Sequence, residues 1–186
     1  MPTKINGLPA HVLLIHAVVI LLPLAALMLV ASATWPAARA RLGFLTPAVG
    51  LVALVLVPIT TNAGEWLRDH LGFHNARIDR HTELGKSLLP WAIGVFVLAA
   101  AVWLLGRRFE MSWRRAPHEP EKRDDVDGGG GTATLIRPQT RKQALLVWVT
   151  AVLGAVSIAV SVGALIQLYR TGDSGAQAVW HGVGGG

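Results

Sequence analysis

Four long apolar segments alternate with short polar segments along the 186-residue chain. A helix needs about 20 mostly apolar residues to cross a bilayer, with a usual range of about 17–25. Four segments meet that requirement, at residues 12–33, 42–59, 88–105 and 144–168. None of them contains Lys, Arg, Asp or Glu. The pattern therefore predicts an all-α fold, an integral membrane four-helix up-and-down bundle.

The amino-acid composition agrees with a location in a membrane. Hydrophobic residues make up 52% of the chain and charged residues only 15%, whereas soluble domains average about 25% charged residues. The chain has no cysteine, which excludes disulfide bonds, iron–sulfur ligation by thiolate and cysteine nucleophiles. The net charge of +6 does not indicate nucleic-acid binding, because the basic residues flank apolar segments as topogenic charges do.

The basic residues are unequally divided between the two sides of the predicted bundle. The loops after the first and third segments together hold eleven Lys and Arg residues, and the opposite side holds six. Because basic loops stay in the cytoplasm, these two loops are predicted to be cytoplasmic. Both the N and C termini and the second loop are then predicted to lie on the outer face.

We expect one membrane domain with a polar insertion. Residues 1–115 hold helices one to three, with an outer loop at 60–87, and residues 142–186 hold helix four and an outer tail. Residues 116–141 mix charges and glycines and contain little apolar surface to bury, so they are predicted to form a disordered cytoplasmic linker. The glycines at 128–131 are not a phosphate loop, because no Gly-Lys-Ser/Thr follows them.

Small residues recur every four positions on the fourth segment. They are Ala151, Ala155, Ala159 and Gly163. Small residues let membrane helices approach closely, so this stripe predicts packing within the chain. Dimerisation is the alternative.

Histidines cluster on the predicted outer side. Six of the seven lie there, namely His11, His16, His70, His74, His81 and His181. His118 lies in the linker. Histidine is the commonest protein metal ligand and a frequent axial ligand of haem, so this distribution indicates a candidate site.

His16 and His81 are the central candidates for cofactor binding. His16 lies inside an apolar segment, where an ionisable group is costly and normally has a partner. His81 lies just before the third segment, and Glu65 lies just after the second. His11, His16, Glu65 and His81 could converge on zinc, copper or iron. Alternatively, His16 and His81 could be the two axial ligands of haem b.

A structural interpretation of the same residues stands beside this hypothesis. No HExxH motif or closed zinc spacing is present. Histidines are common at membrane interfaces and on solvated loops. Glu65 and Glu83 are suited to ion pairs with Arg68, Arg80 or Lys86, which would use their carboxylates without a metal.

Short motifs in this chain resemble a bacterial membrane-protein family known as domain of unknown function 2231. The opening Leu8-Pro9-Ala10-His11, with His16 five residues later, is similar to that family's opening. The similarity extends to residues 60–65, 81–85, 169–172 and 180–182. The chain departs from the family where Val12 replaces a proline and Thr171 replaces a histidine. The resemblance implies a four-helix protein of the bacterial cytoplasmic (inner) membrane, whose relatives are sometimes fused to redox modules.

These observations favour a non-catalytic membrane subunit that binds a metal or haem b and takes part in electron transfer, either with other membrane redox subunits or with itself. A structural or assembly protein without a cofactor is the alternative. A transporter is less well supported, because the segments lack charged mid-membrane residues and an internal repeat. No motif predicts an enzyme.

Overall fold

The computed structural model describes residues 4–5, 8–72, 76–115 and 141–180. Within those ranges the chain forms α1 (Ala10–Thr34), α2 (Pro36–Leu42), α3 (Leu45–Leu71), α4 (Ala76–Lys86), α5 (Leu89–Arg115) and α6 (Arg141–Trp180). Two short strands, β1 (Lys4–Ile5) and β2 (Leu8–Pro9), pair antiparallel before α1. Most of the predicted linker, residues 116–140, lies outside the described residues.

Four helical segments each contain a stretch long and apolar enough to cross a membrane. The segments are Leu13–Thr34, Leu45–His70, Ala76–Arg108, which covers α4 and most of α5, and Ala144–Gln177. The predicted helical bundle with four candidate spans is therefore confirmed.

The helices extend further than the apolar segments from which they were predicted. α3 continues twelve residues past Ile59, and α4 occupies much of the remaining segment predicted as an outer loop. α6 likewise runs to Trp180, through most of the predicted tail. The connection at 60–87 is therefore largely helical, and it adds a helical layer at one end of the bundle.

The four long helices surround a common core. α1 packs most extensively on α3 and then on α6, while α5 packs on both α3 and α6. This gives the cyclic order α1, α3, α5, α6, with α1 and α5 also touching across the centre. The end of the bundle formed by the start of α1, α4 and the end of α6 is called the terminus end. The end that holds α2 and the start of α3 is called the loop end.

Two groups of buried apolar side chains fill the bundle. Towards the loop end the core consists of Ala25, Leu29, Ala33, Val95, Ala99, Val102 and Ala164. Towards the terminus end it consists of Val18, Leu22, Ala53, Val57, Leu88 and Ala92. The many alanines allow close helix approach, which supplies the van der Waals contact that holds membrane helices together.

The packing face of α6 differs from the predicted small-residue stripe. Ala151, Ala155 and Ala159 are exposed, while Gly163 is half-buried. The buried positions of α6 are Gly154, Ser157, Ser161, Ala164, Gln167 and Ser174. Ser157 Oγ donates to Leu153 O at 2.7 Å, and Ser161 Oγ donates to Ala26 O at 3.3 Å. The packing face is also built from small residues, but its serines hydrogen-bond to carbonyls, which the predicted stripe cannot do.

Arg39 closes the loop end of α1. Its Nε donates to Ser32 O at 2.7 Å and its Nη2 to Ala33 O at 3.1 Å. These carbonyls belong to the last turn of α1, where no further helical N–H can reach them. Arg39 also packs against Gly106 of α5, since a Cβ there would lie 2.9 Å from Arg39 Cδ. The residue thus links α1, α2 and α5.

Arg39→Ala is expected to lower the free energy of unfolding by about 1–3 kcal/mol, because two helix-end carbonyls lose a charged donor. Arg41→Ala removes the same charge from an exposed position of the same helix and should change it by about 0.5 kcal/mol or less. Thermal unfolding in detergent compares the two variants. Equal effects of both substitutions would contradict the capping role of Arg39.

Candidate functional site

A cavity of about 520 Å³ lies at the terminus end. It is enclosed by the first turns of α1, the second half of α3, α4 and the end of α6. Its floor is the core group that contains Val18, Val57 and Leu88. Its apolar wall includes Ile15, Val19, Leu67, Ile78 and Leu168.

The cavity exists partly because glycines line it. Gly64 of α3, Gly85 of α4 and Gly172 and Gly175 of α6 all form part of its wall. A Cβ added at Gly85 or Gly172 would meet no atom within 4 Å. Helical glycine costs roughly 0.5–1 kcal/mol relative to alanine. These positions therefore keep space open that a larger side chain would occupy.

His81 of α4 lines this cavity and is half-buried. Its Nδ1 lies 3.1 Å from Thr171 O and 3.0 Å from Ser174 Oγ of α6. Ser174 Oγ itself donates to Thr171 O at 2.7 Å. Because a carbonyl can only accept and the serine hydrogen is already donated, Nδ1 carries the imidazole hydrogen. In the tautomer that has its hydrogen on Nδ1, the lone pair is on Nε2.

The His81 ring is held in place by contact as well as by hydrogen bonds. It packs over Gly175, where an added Cβ would lie 3.0 Å from Cε1 and 3.3 Å from Nδ1. A side chain at position 175 would push on the ring. The contact with Gly175 and the hydrogen bonds of Nδ1 together fix the orientation of the ring and the direction of Nε2. Hydrogen bonds to the second ring nitrogen orient metal-ligating histidines in the same way.

A group of hydrogen bonds, called the polar seam, joins α4 to α6 beside His81. It connects Leu84 of α4 and Ser87, which directly follows α4, to Gln167 and Thr171 of α6. Gln167 Nε2 donates to Leu84 O at 3.1 Å and to Ser87 Oγ. Thr171 Oγ1 lies within hydrogen-bonding distance of Leu84 O at 3.2 Å and Gln167 O at 2.9 Å. Because these bonds satisfy buried polar groups, they fix α4 against α6 and with it the position of His81.

Ion pairs connect α3 to α4 at the rim of the cavity. Lys86 Nζ lies 2.7 Å from Glu65 Oε1 and 3.7 Å from Glu83 Oε1. Arg68 Nη1 lies 3.6 Å from Asp79 Oδ1. The predicted ion-pair role of Glu65 and Glu83 is confirmed for Lys86.

The structure brings together only some of the predicted site residues. His81 and Glu65 line one cavity, whereas His16 is exposed and is not among its lining residues. His70 stacks on Trp66, with ring centroids 4.4 Å apart. His11 lies in the first turn of α1, and its side chain is not among those that the structure describes. His74, His118 and His181 also lie outside the described residues.

The described part of the chain contains no group of three or more His, Asp or Glu side chains placed to hold a metal ion. Of the predicted ligands, Glu65 already pairs with Lys86. The cavity is mostly apolar, and His81 lines it with one ring nitrogen bonded to α6. This arrangement can bind a molecule that fills the cavity and contacts His81 Nε2.

Several residues of the cavity and its support were not predicted as site residues. They are Gln167, Thr171, Ser174, Gly85, Gly172 and Gly175. The first three follow one another at intervals of four and three residues, which places them on one helical face. That spacing is the sequence signal for the seam. The glycines give no comparable signal. They contribute to the cavity by lacking side chains, and no spacing pattern in the sequence marks that contribution.

The chain matches no known protein-family model, no curated protein and no solved structure. The resemblance to domain of unknown function 2231 therefore stays a prediction.

Proposed function

We propose that this protein is a membrane subunit that binds one small, lipid-soluble or redox-active molecule in the terminus-end cavity. His81 Nε2 contacts the polar or metal centre of that molecule. The observation that carries this proposal is the fixed orientation of His81. Its Nδ1 is bonded to Thr171 O and Ser174 Oγ in the wall of a 520 Å³ cavity.

Haem b is one cofactor that suits this geometry. A haem supplies one-electron chemistry and takes histidine Nε2 as an axial ligand. His81 would hold the iron, and the apolar side chains of the wall would contact the haem. His16, the second predicted axial ligand, does not line this cavity, so the geometry favours a single histidine ligand. A mononuclear metal site would have only His81 and Glu65 from the described lining.

The location we propose is the bacterial cytoplasmic membrane, with the terminus end outside. The four apolar helices and the excess of Lys and Arg at the loop-end side support this orientation. The cavity would then lie in the outer half of the bilayer, where a redox partner on that side could reach it.

An assembly role is the second candidate, and one observation favours it. Residues 145–152 of α6 are exposed on every face, and the exposed stripe of Ala151, Ala155 and Ala159 continues from them. Small residues on an exposed face suit contact with a second membrane helix. This candidate requires no bound cofactor.

The proposal is tested by the absorption spectrum, elemental content and extractable small molecules of the protein purified in mild detergent. The wild-type protein is expected to carry a haem, a metal or an organic ligand in stoichiometric amount. His81→Ala should reduce that amount about 5- to 150-fold, because losing one partner of a buried polar contact costs about 1–3 kcal/mol.

His70→Ala is the matched control, because His70 is a histidine at the same end that does not line the cavity. It should retain the wild-type content. A folded wild-type protein without any bound molecule, or equal loss in both variants, would overturn the proposal and favour the assembly role.

A further inference from the structure

The charged groups at the rim of the cavity are engaged with one another. Glu65 pairs with Lys86 at 2.7 Å, and Arg68 pairs with Asp69 at 3.0 Å and with Asp79 at 3.6 Å. Each carboxylate that lines or borders the cavity here already has a cationic partner. A ligand with a strongly charged head would have to break these pairs, so they favour an uncharged one.

The threonines of the cavity wall are also bonded within the protein. Thr60 donates to Leu56 O at 2.7 Å and Thr61 to Val57 O at 2.9 Å. Thr82 donates to Ile78 O at 3.0 Å, and Thr171 Oγ1 lies 2.9 Å from Gln167 O. Their hydroxyl hydrogens point to backbone carbonyls, so the four side chains offer the cavity no hydrogen-bond donor.

His81 differs from these groups because one of its ring nitrogens remains open to a ligand. Nδ1 carries the hydrogen and bonds to α6. In the described part of the chain, Nε2 has no hydrogen-bond partner. An imidazole nitrogen with a lone pair accepts a hydrogen bond. The preferred ligand group is therefore a hydroxyl donor rather than a carbonyl acceptor.

The position of the cavity indicates how such a ligand would enter. The apolar lining residues at its inner side lie within the predicted apolar segments, and they are Ile15, Val18, Val19, Val57, Leu88 and Leu168. Val19 lines the cavity and is also 46% exposed, so the wall reaches the lipid-facing surface of α1. A volume of about 520 Å³ suits an organic ring with part of an attached chain, and it greatly exceeds the roughly 30 Å³ share of one water.

We infer that the ligand is a lipid-soluble ring compound with a hydroxyl donor, of the quinol class, whose O–H donates to His81 Nε2. This inference rests on the proposed function and specifies its ligand. Apolar side chains of α1, α3 and α6 hold the ring and chain, while His81 supplies the directional contact. We assign only ligand binding to this cavity and no chemical reaction.

The test uses a decyl-substituted benzoquinol, kept reduced under anaerobic conditions, and titrates it calorimetrically into the full chain in detergent. The corresponding dimethyl ether has the same ring and chain but no hydroxyl donor. The quinol is expected to bind about tenfold more tightly than the ether or more. In His81→Ala the affinity for the quinol should fall to the affinity for the ether. In His70→Ala the preference for the quinol over the ether should persist.

Equal affinity of the wild-type protein for quinol and ether would overturn the inference. So would purification of the protein with a haem that is lost in His81→Ala, although the proposed function would then stand. A protein that binds neither probe and carries no His81-dependent molecule would overturn both the inference and the proposed function.

Discussion

Gly85→Leu is expected to abolish ligand binding at the terminus end without unfolding the bundle. Gly85 lines the cavity, and a Cβ at this position would meet no atom within 4 Å. Helical side chains point back towards the N-terminus, and residues four apart share a face. The added leucine would therefore lie over the ring of His81 and occupy the space in which a ligand contacts Nε2.

The same substitution should leave the fold intact or slightly more stable. Replacing a helical glycine with leucine gains about 0.5–1 kcal/mol of helix propensity. The measurement is the amount of bound molecule per protein, together with the thermal unfolding of the ligand-free protein.

Gly154→Leu is the matched control for Gly85→Leu. Gly154 is also a helical glycine with no atom within 4 Å of an added Cβ, and it does not line the cavity. This variant should keep the wild-type ligand content. If Gly85→Leu binds as much ligand as Gly154→Leu does, the cavity is not the binding site.

Gly163→Ala is expected to destabilise the bundle by about 1–3 kcal/mol, the usual cost of overpacking a tight contact. A Cβ at Gly163 would lie 1.9 Å from Trp91 Cζ3 and 2.2 Å from Cη2. Trp91 packs against the buried core group that contains Ala25, Leu29 and Val95. Either its indole ring or helix α6 would have to shift, and the contact between α5 and α6 would loosen.

Gly154→Ala supplies the comparison for this substitution, because it makes the same chemical change on the same helix with open space around the new atom. It should stabilise the protein by about 0.5–1 kcal/mol. Combining Gly163→Ala with Trp91→Phe, which shortens the ring system, should cost less than the sum of the single effects. Additive effects would show that the two residues do not compete for space.

The four spans could be predicted from the sequence because the bilayer imposes a simple requirement. A segment that crosses the membrane must be apolar over its length and must satisfy its backbone internally as a helix. The helical residues beyond the predicted apolar segments obey no such rule. Residues 60–71 of α3 and 169–180 of α6 are mixed in polarity, and they stay helical because they pack against α4 and extend existing helices.

Part of the candidate site could also be predicted. His81 was identified because its residue type and position near a predicted span suit ligand binding, and the structure places it in the wall of a cavity. His16 was identified on the same grounds, but its side chain is exposed and does not line that cavity. One position along a helix turns a side chain by about 100°, and only the packing of α1 decides that Ile15 rather than His16 lines the cavity.

The most direct test of the proposed binding site is an experimental structure of the protein purified in lipid nanodiscs without added ligand. We expect density for one molecule in the cavity, with an atom about 2–3.2 Å from His81 Nε2, the range of coordination and hydrogen bonds. An empty or lipid-tail-filled cavity, with Nε2 bonded only to protein or water, would contradict the proposed binding site.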